Sequence, residues 1–157
     1  LSQYGHMFAP RPSIVVKELA RVLKPGGVLA FSTWPKELFM GQFFKLIEDF
    51  SPPLPSGVVS PVLWGDMTII EERLMDHFEN IEFGRDTMFA PTMSPAHMLR
   101  LFEKNAGPLA NLVKALSVDS TQLSNLRSSA LVLIEKFFSN NFLRQDFLMT
   151  RCVKNGE

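Results

Sequence analysis

The chain has 157 residues, 46% of them hydrophobic, which is enough apolar material to bury the core of one domain. Sixteen basic residues balance sixteen acidic ones, so no net positive field favours nucleic acid or an anionic membrane as a partner. No apolar run approaches the ~20 residues of a membrane span, and a single cysteine excludes an intrachain disulfide. We therefore predict a cytoplasmic protein without a membrane span.

The first clear pattern is a helix, a sharp turn and a strand. Apolar residues recur at spacings of three and four, which predicts a helix over Ser13 to Leu23 with one buried stripe. Pro25 cannot continue that helix, and Gly26 or Gly27 can adopt the left-handed conformation that closes it. Val28 to Trp34 is almost continuously apolar, as in a strand covered on both faces. The pattern predicts a parallel sheet in an α/β fold.

The rest of the chain alternates between helices and strands. Asp66 can cap a helix from Met67 to about His77, and alternating apolar residues from Ile81 predict the next strand. A helical stretch follows from 94 to 139, interrupted by Gly107-Pro108, before the last strand at 142–153. An earlier, strongly apolar helix is predicted from six residues: Phe39, Met40, Phe43, Phe44, Ile47 and Phe50.

Residues Leu23 to Trp34 read Leu-Lys-Pro-Gly-Gly-Val-Leu-Ala-Phe-Ser-Thr-Trp and follow a polar stretch from Leu1 to Pro10. In this order the two segments resemble the class I S-adenosylmethionine-dependent methyltransferases, in particular small-molecule enzymes similar to the ubiquinone/menaquinone biosynthesis group. The resemblance extends more loosely through Trp64-Gly-Asp66 and 144–151. It implies a Rossmann-like sheet in which the Pro-Gly-Gly turn leads into the fifth strand. The last strand would insert antiparallel between the fifth and the sixth.

Leu1 to Gln3 looks like the end of a strand, and three residues are fewer than the about 5–6 of a typical strand. We therefore expect residues 1–157 to be the C-terminal part of a longer methyltransferase domain. The resemblance implies that the other half carries the glycine-rich turn and the acidic residue that hold S-adenosyl-L-methionine. It also implies that the helices of 94–139 form an insertion before the last strand, either a cap over a site or an outer layer.

The resemblance assigns the first residues to the cofactor. Ser2, Gln3 and Tyr4 match the end of the fourth strand, which passes beside the methionine part of S-adenosyl-L-methionine, and Met7 lies just beyond. A histidine at position 6 could accept a proton from the methyl acceptor. The alternative for His6 is a hydrogen-bonded or solvated loop residue. Methyl transfer depends mainly on positioning and desolvation, so a side-chain base is not obligatory.

The predicted substrate residues follow the buried strand. Trp34 leaves the strand at the carboxyl edge of the sheet, where ligands bind in open α/β folds. Phe39, Met40 and Phe43 belong to a helix that is more apolar than one buried stripe requires. That helix is either buried against the sheet, or its extra face lines a pocket for a small, apolar methyl acceptor.

Two functions remain open. The chain is either part of a small-molecule methyltransferase, inactive without the rest of the enzyme, or a non-catalytic interaction module. Such a module would dock onto another chain, or self-associate, through an open sheet edge. No metal site is predicted, because neither His77 nor His97 has a second ligand three or four residues away on the same face.

Overall fold

A computed structural model describes residues 1–156, which form a mixed α/β fold. The helices among these residues are α1 (Pro12–Val22), α2 (Phe39–Asp49), α3 (Met67–Leu74), α4 (Pro95–Asn105), α5 (Gly107–Ala115) and α6 (Ser120–Phe137). The strands are β1 (Ser2–Gln3), β2 (Val28–Thr33), β3 (Phe78–Pro91), β4 (Phe138–Ser139) and β5 (Phe142–Lys154). Short 3-10 turns lie at His6–Phe8, Pro61–Gly65 and Leu116–Val118.

The strands form one sheet in the order β1-β2-β5-β3, and β4 pairs with the start of β5. β1 runs parallel to β2, with Ser2 opposite Phe31. β5 runs antiparallel to β2, from Thr33 opposite Leu148 to Val28 opposite Val153. The sheet is therefore mixed, whereas the sequence pattern alone predicted a parallel one. The last strand lies between β2 and β3 and is antiparallel to β2.

The predicted helix, turn and parallel strand are confirmed. Pro12 occupies the first turn of α1, where its missing N–H is not needed. Gly26 has a φ of 73°, in the left-handed region. Its N–H donates to the carbonyl of Lys154, and the N–H of Lys154 donates to the carbonyl of Gly27, at 3.0 and 2.9 Å. These bonds tie the turn to the end of β5.

The sequence predicted that both faces of β2 are buried, and this prediction is wrong for the start of the strand. Leu29, Phe31 and Thr33 share one face and are at most 2% exposed. On the opposite face Val28 is 48% exposed and Ala30 is half-buried, although Ser32 is buried. The apolar run therefore predicted burial correctly only for the carboxyl half of β2, which ends next to Trp34.

Helix caps account for several predicted boundaries. The carboxylate of Asp66 accepts hydrogen bonds from the N–H groups of Thr68 and Ile69, as predicted, although α3 ends at Leu74 rather than near His77. Ser94 caps α4 and Asp119 caps α6 in the same way. The helical stretch ends at Phe137 and not at Ser139, because Phe138–Ser139 form β4.

The chain divides into two compact units. The first contains residues 1–36, 54–86 and the chain from 146 onward, and α1 contacts α3 within it. The second contains 37–53 and 87–145, and its helices α2, α4, α5 and α6 pack together. Its core holds twelve buried residues: Phe39, Phe43, Ile47, Met98, Leu99, Leu109, Leu112, Ala130, Leu126, Leu133, Ile134 and Leu143. The helices of 94–139 thus share a core with α2, and their role as a cap or an outer layer stays a prediction.

Replacing Gly26 by alanine should lower the free energy of unfolding by about 1 kcal/mol, since a Cβ is strained at positive φ. A steric clash does not contribute to this loss of stability, because no other atom of the described chain lies within 4 Å of the added Cβ. Gly84→Ala is the matched control, because it adds a Cβ in equally open space at an ordinary φ. Urea denaturation of both variants measures the difference. Equal stabilities would show that the turn is not left-handed at Gly26.

Candidate functional site

The parallel strands β1 and β2 end at the same edge of the sheet, and an aromatic group lies there. Tyr4 follows β1 and Trp34 follows β2, and their rings stack with centroids 3.9 Å apart and planes 9° from parallel. Phe147 of β5 meets both rings edge-on, at 6.2 and 6.5 Å. Trp34 is buried, whereas Tyr4 and Phe147 are partly exposed. This edge is where ligands bind in open α/β folds.

Tyr4 has a strained backbone. Its φ is 59°, in a region that bulky residues rarely adopt, and its N–H still donates to the carbonyl of Ser32 at 3.2 Å. Burial raises the pKa of the Tyr4 hydroxyl, against a hydrogen bond with the side chain of Ser32 that lowers it. The hydroxyl therefore stays protonated near neutral pH. Strain of this kind concentrates at functional sites, which makes the end of β1 a candidate.

His6 lies in the 3-10 turn that follows, held by Ser2. The Ser2 hydroxyl oxygen is 3.0 Å from His6 Nδ1 and also accepts the main-chain N–H of His6 at 3.3 Å. The imidazole packs between the rings of Phe31 and Trp64, with centroids 4.5 and 4.7 Å away. His6 is thus hydrogen-bonded and largely enclosed. Its Nε2 is buried and has no hydrogen-bond partner within residues 1–156.

The surroundings of His6 keep it neutral. Burial, together with the nearby positive charge of Arg73, lowers the pKa of His6 from an ordinary 6.5 to about 4. A neutral imidazole at pH 7 is able to exchange a proton with a ligand. The predicted role of His6 as proton acceptor stays a prediction.

The 3-10 turn at Pro61–Gly65 brings Trp64 to this group. A Cβ on Gly65 would lie 2.2 Å from the carbonyl oxygen of Trp34, so only glycine allows the turn to approach the end of β2. Asp66 then forms an ion pair with Lys36 at 3.4 Å. No function was predicted for Trp64 or for Arg73, whose guanidinium carbon lies 4.5 Å from the centroid of the Trp64 ring. The Trp-Gly-Asp sequence was the available signal.

The structure brings four of the predicted site residues together as two pairs within the first unit, Ser2 with His6 and Tyr4 with Trp34. Gln3 points into solvent from β1, and Met7 is 1% exposed within its 3-10 turn. Contact of either residue with a cofactor stays a prediction.

The predicted substrate residues of α2 belong to the core of the second unit. Phe39 is 0% and Phe43 is 1% exposed, and Phe43 lies 4.9 Å from the ring of Phe102. Met40 is half-buried against the same core. Both phenylalanine rings are enclosed by their neighbours here, and their contact with a substrate stays a prediction.

The side chain of His97 is held by hydrogen bonds with the residues just before α4. His97 Nδ1 accepts the N–H of Met93 at 3.3 Å and lies 3.0 Å from the Thr92 hydroxyl. Within 1–156, no three His, Cys, Asp or Glu side chains are grouped so that they could hold a metal ion. In the same part of the chain, no helix has the length and apolarity needed to cross a membrane.

No known protein-family model matches the chain. Over 155 residues it is 27% identical to an uncharacterized protein from Mycobacterium tuberculosis and to one from Mycobacterium bovis. A second uncharacterized protein from Mycobacterium tuberculosis is 23% identical over the same length. Each match covers 98% of this chain and 57% of the relative. The chain therefore spans little more than half the length of these curated relatives.

The imidazole of His6 should titrate near pH 4 in a 1H–13C NMR experiment. Because the pKa in the folded state lies below the ordinary 6.5, the stabilisation from neutral His6 is present above pH 6.5 and is lost as the pH falls towards 4. Arg73→Gln should raise the midpoint by removing a positive charge, and Arg21→Gln, at an exposed ion pair, serves as control. A midpoint near 6.5 in the folded wild type would show that His6 is not enclosed.

Phe43→Ala should destabilise the second unit by about 3–5 kcal/mol, because the ring is buried on all sides. Val132→Ala, on the exposed face of α6, should cost about 0.5 kcal/mol or less. Chemical denaturation of both variants makes the comparison. A loss for Phe43→Ala well below that range would mean that one side of the ring faces open space, as a substrate pocket requires.

Proposed function

We propose that the chain is the C-terminal part of an S-adenosylmethionine-dependent methyltransferase that acts on a small, apolar molecule. The observation that carries the proposal is the strand order β1-β2-β5-β3, in which the last strand is antiparallel to β2 and lies between β2 and β3. The resemblance to class I methyltransferases implies this order for their fourth, fifth, seventh and sixth strands. The Pro-Gly-Gly turn stands before β2, as that resemblance also implies.

The residues at the carboxyl edge fit part of a cofactor site. Tyr4 is held in a strained conformation that stacks its ring on Trp34, and Ser2 fixes the orientation of His6. The chain contains no glycine-rich turn that opens a helix from a strand, so it would supply one wall of the site and a longer protein would supply the rest. The match covers 57% of each relative, so these longer proteins have room for a second part that would complete the site.

S-adenosyl-L-methionine, when bound, would supply an electrophilic methyl group for in-line attack by the acceptor. The contribution of this chain would be positioning and exclusion of water, which can account for most of the rate enhancement in such a transfer. The stacked pair Tyr4 and Trp34, with Phe147 against both rings, provides an apolar wall at that edge. Apolar walls favour an apolar acceptor.

The proposal predicts that the 157-residue chain binds S-adenosylmethionine weakly or not at all, and that a longer protein ending in this chain binds it with micromolar affinity. Isothermal titration calorimetry on both proteins is the measurement. Micromolar binding by the chain alone would mean that the cofactor site has been assigned to the wrong residues. No binding by the longer protein would favour the interaction module.

In the longer protein, Tyr4→Ala should weaken cofactor binding about tenfold, corresponding to the ~1.4 kcal/mol expected for loss of an aromatic wall. Phe89→Ala is the control, because it removes an aromatic ring of similar size from a 58% exposed position in the other unit. Equal affinities of the two variants would remove Tyr4 from the site.

A further inference from the structure

Three buried nitrogens without partners lie around the Trp64 ring. They are Trp64 Nε1, Arg73 Nη1 and His6 Nε2, and none has a hydrogen-bond partner in the described chain. The imidazole of His6 is 4.7 Å from the Trp64 ring centroid, and the guanidinium carbon of Arg73 is 4.5 Å from it. Buried polar groups in folded proteins are almost always paired, so three in one group require an explanation.

The Ser2 oxygen, 3.0 Å from His6 Nδ1, is compatible with either neutral tautomer of the imidazole. In one of them the Ser2 hydroxyl donates to Nδ1, while the same oxygen accepts the main-chain N–H of His6. A neutral imidazole that accepts at Nδ1 carries its hydrogen on Nε2. The indole and the guanidinium can only donate. In this tautomer all three orphaned groups are N–H donors.

Three donors require an acceptor, and the charge indicates which kind. Arg73 is permanently cationic, and no carboxylate of residues 1–156 forms an ion pair or hydrogen bond with it. A carboxylate is acceptor-only, offers two oxygens and neutralises the guanidinium, whereas a water molecule would bring two more hydrogens that need acceptors.

The Trp64 side chain is enclosed, and Arg73 lies over the face of its ring. Trp64 is 1% exposed, and Gly65 fixes its turn against the end of β2. Arg73 is partly exposed, and its long side chain is held over the indole by stacking, with no directional bond to any residue of the described chain. Movement of this side chain would uncover the face of the indole, and His6 on the other side of the contact is itself partly exposed.

We propose that Trp64 Nε1, Arg73 Nη1 and His6 Nε2 form a binding site for the carboxylate of a small molecule, which enters when Arg73 moves. The site rests on the proposed function only if the carboxylate is that of S-adenosylmethionine. In this arrangement His6 binds the ligand as a donor, and it does not act as a base through Nε2. The carboxylate belongs either to an aromatic or aliphatic acid or to the amino-acid end of S-adenosylmethionine.

The test is an NMR titration of the 157-residue chain, with the indole N–H of Trp64 as the reporter. The chain has two tryptophans, and Trp34→Phe identifies the Trp64 resonance. Benzoate is the probe, and benzamide is its uncharged control of similar shape. Saturable downfield movement of the Trp64 resonance with benzoate, at least tenfold weaker with benzamide, is the expected result. The comparison needs no variant of the site.

Arg73→Gln should weaken benzoate binding at least tenfold, while Arg21→Gln, an exposed arginine paired with Glu18, should bind as the wild type does. A parallel titration with S-adenosylmethionine separates the two sources of the carboxylate. Movement of the Trp64 resonance with S-adenosylmethionine alone assigns the site to the cofactor. If neither ligand moves the resonance of the folded chain, or if benzamide matches benzoate, the proposal is wrong. Its failure would leave the calorimetric test of methyltransferase function unaffected.

Discussion

The pairing of β2 on both sides is the constraint on which the first unit depends. β1 fixes one side in parallel and β5 fixes the other antiparallel, through six consecutive opposed positions. The left-handed turn at Gly26 bonds to Lys154, so the beginning of β2 is held to the end of β5. Because the registers are fixed, Tyr4 and Trp34 must emerge at the same edge. Their stacking follows from the sheet and not from their separation of thirty residues in sequence.

The lowered pKa of His6 and the unpartnered nitrogens around Trp64 follow from close packing next to the end of β2. The absence of a side chain on Gly65 lets its turn approach the carbonyl of Trp34, and this approach brings Trp64 against His6. Enclosure by Trp64 and Phe31 removes water from the imidazole, which lowers the pKa of His6 and leaves polar nitrogens without partners. A buried polar group without a partner destabilises the folded chain, which is the cost that the proposed carboxylate would remove.

Local signals made much of the fold predictable. Proline and glycine placed the end of α1, and Asp66, Ser94 and Asp119 were readable as caps because capping depends on a few adjacent residues. The Asn-Asn turn at 140–141, with φ values of 50° and 61°, carried a hairpin signal that was overlooked. The contacts of the candidate site were harder to predict from the sequence. A left-handed tyrosine contradicts local preference, and the contact of Arg73 with Trp64 and of Trp64 with His6 depends on tertiary packing, which periodicity does not report.

The candidate site depends on the position of β5 between β2 and β3. Nuclear Overhauser contacts between backbone protons test this position directly. Antiparallel pairing predicts contacts between Ala30 and Arg151 and between Ser32 and Met149, which are opposed in β2 and β5. The parallel pairing of β1 with β2 also predicts backbone contacts around Ser2 and Phe31. Backbone contacts of β2 with β3 in place of β5 would put the last strand at the border of the sheet, and would contradict both the site and the methyltransferase order.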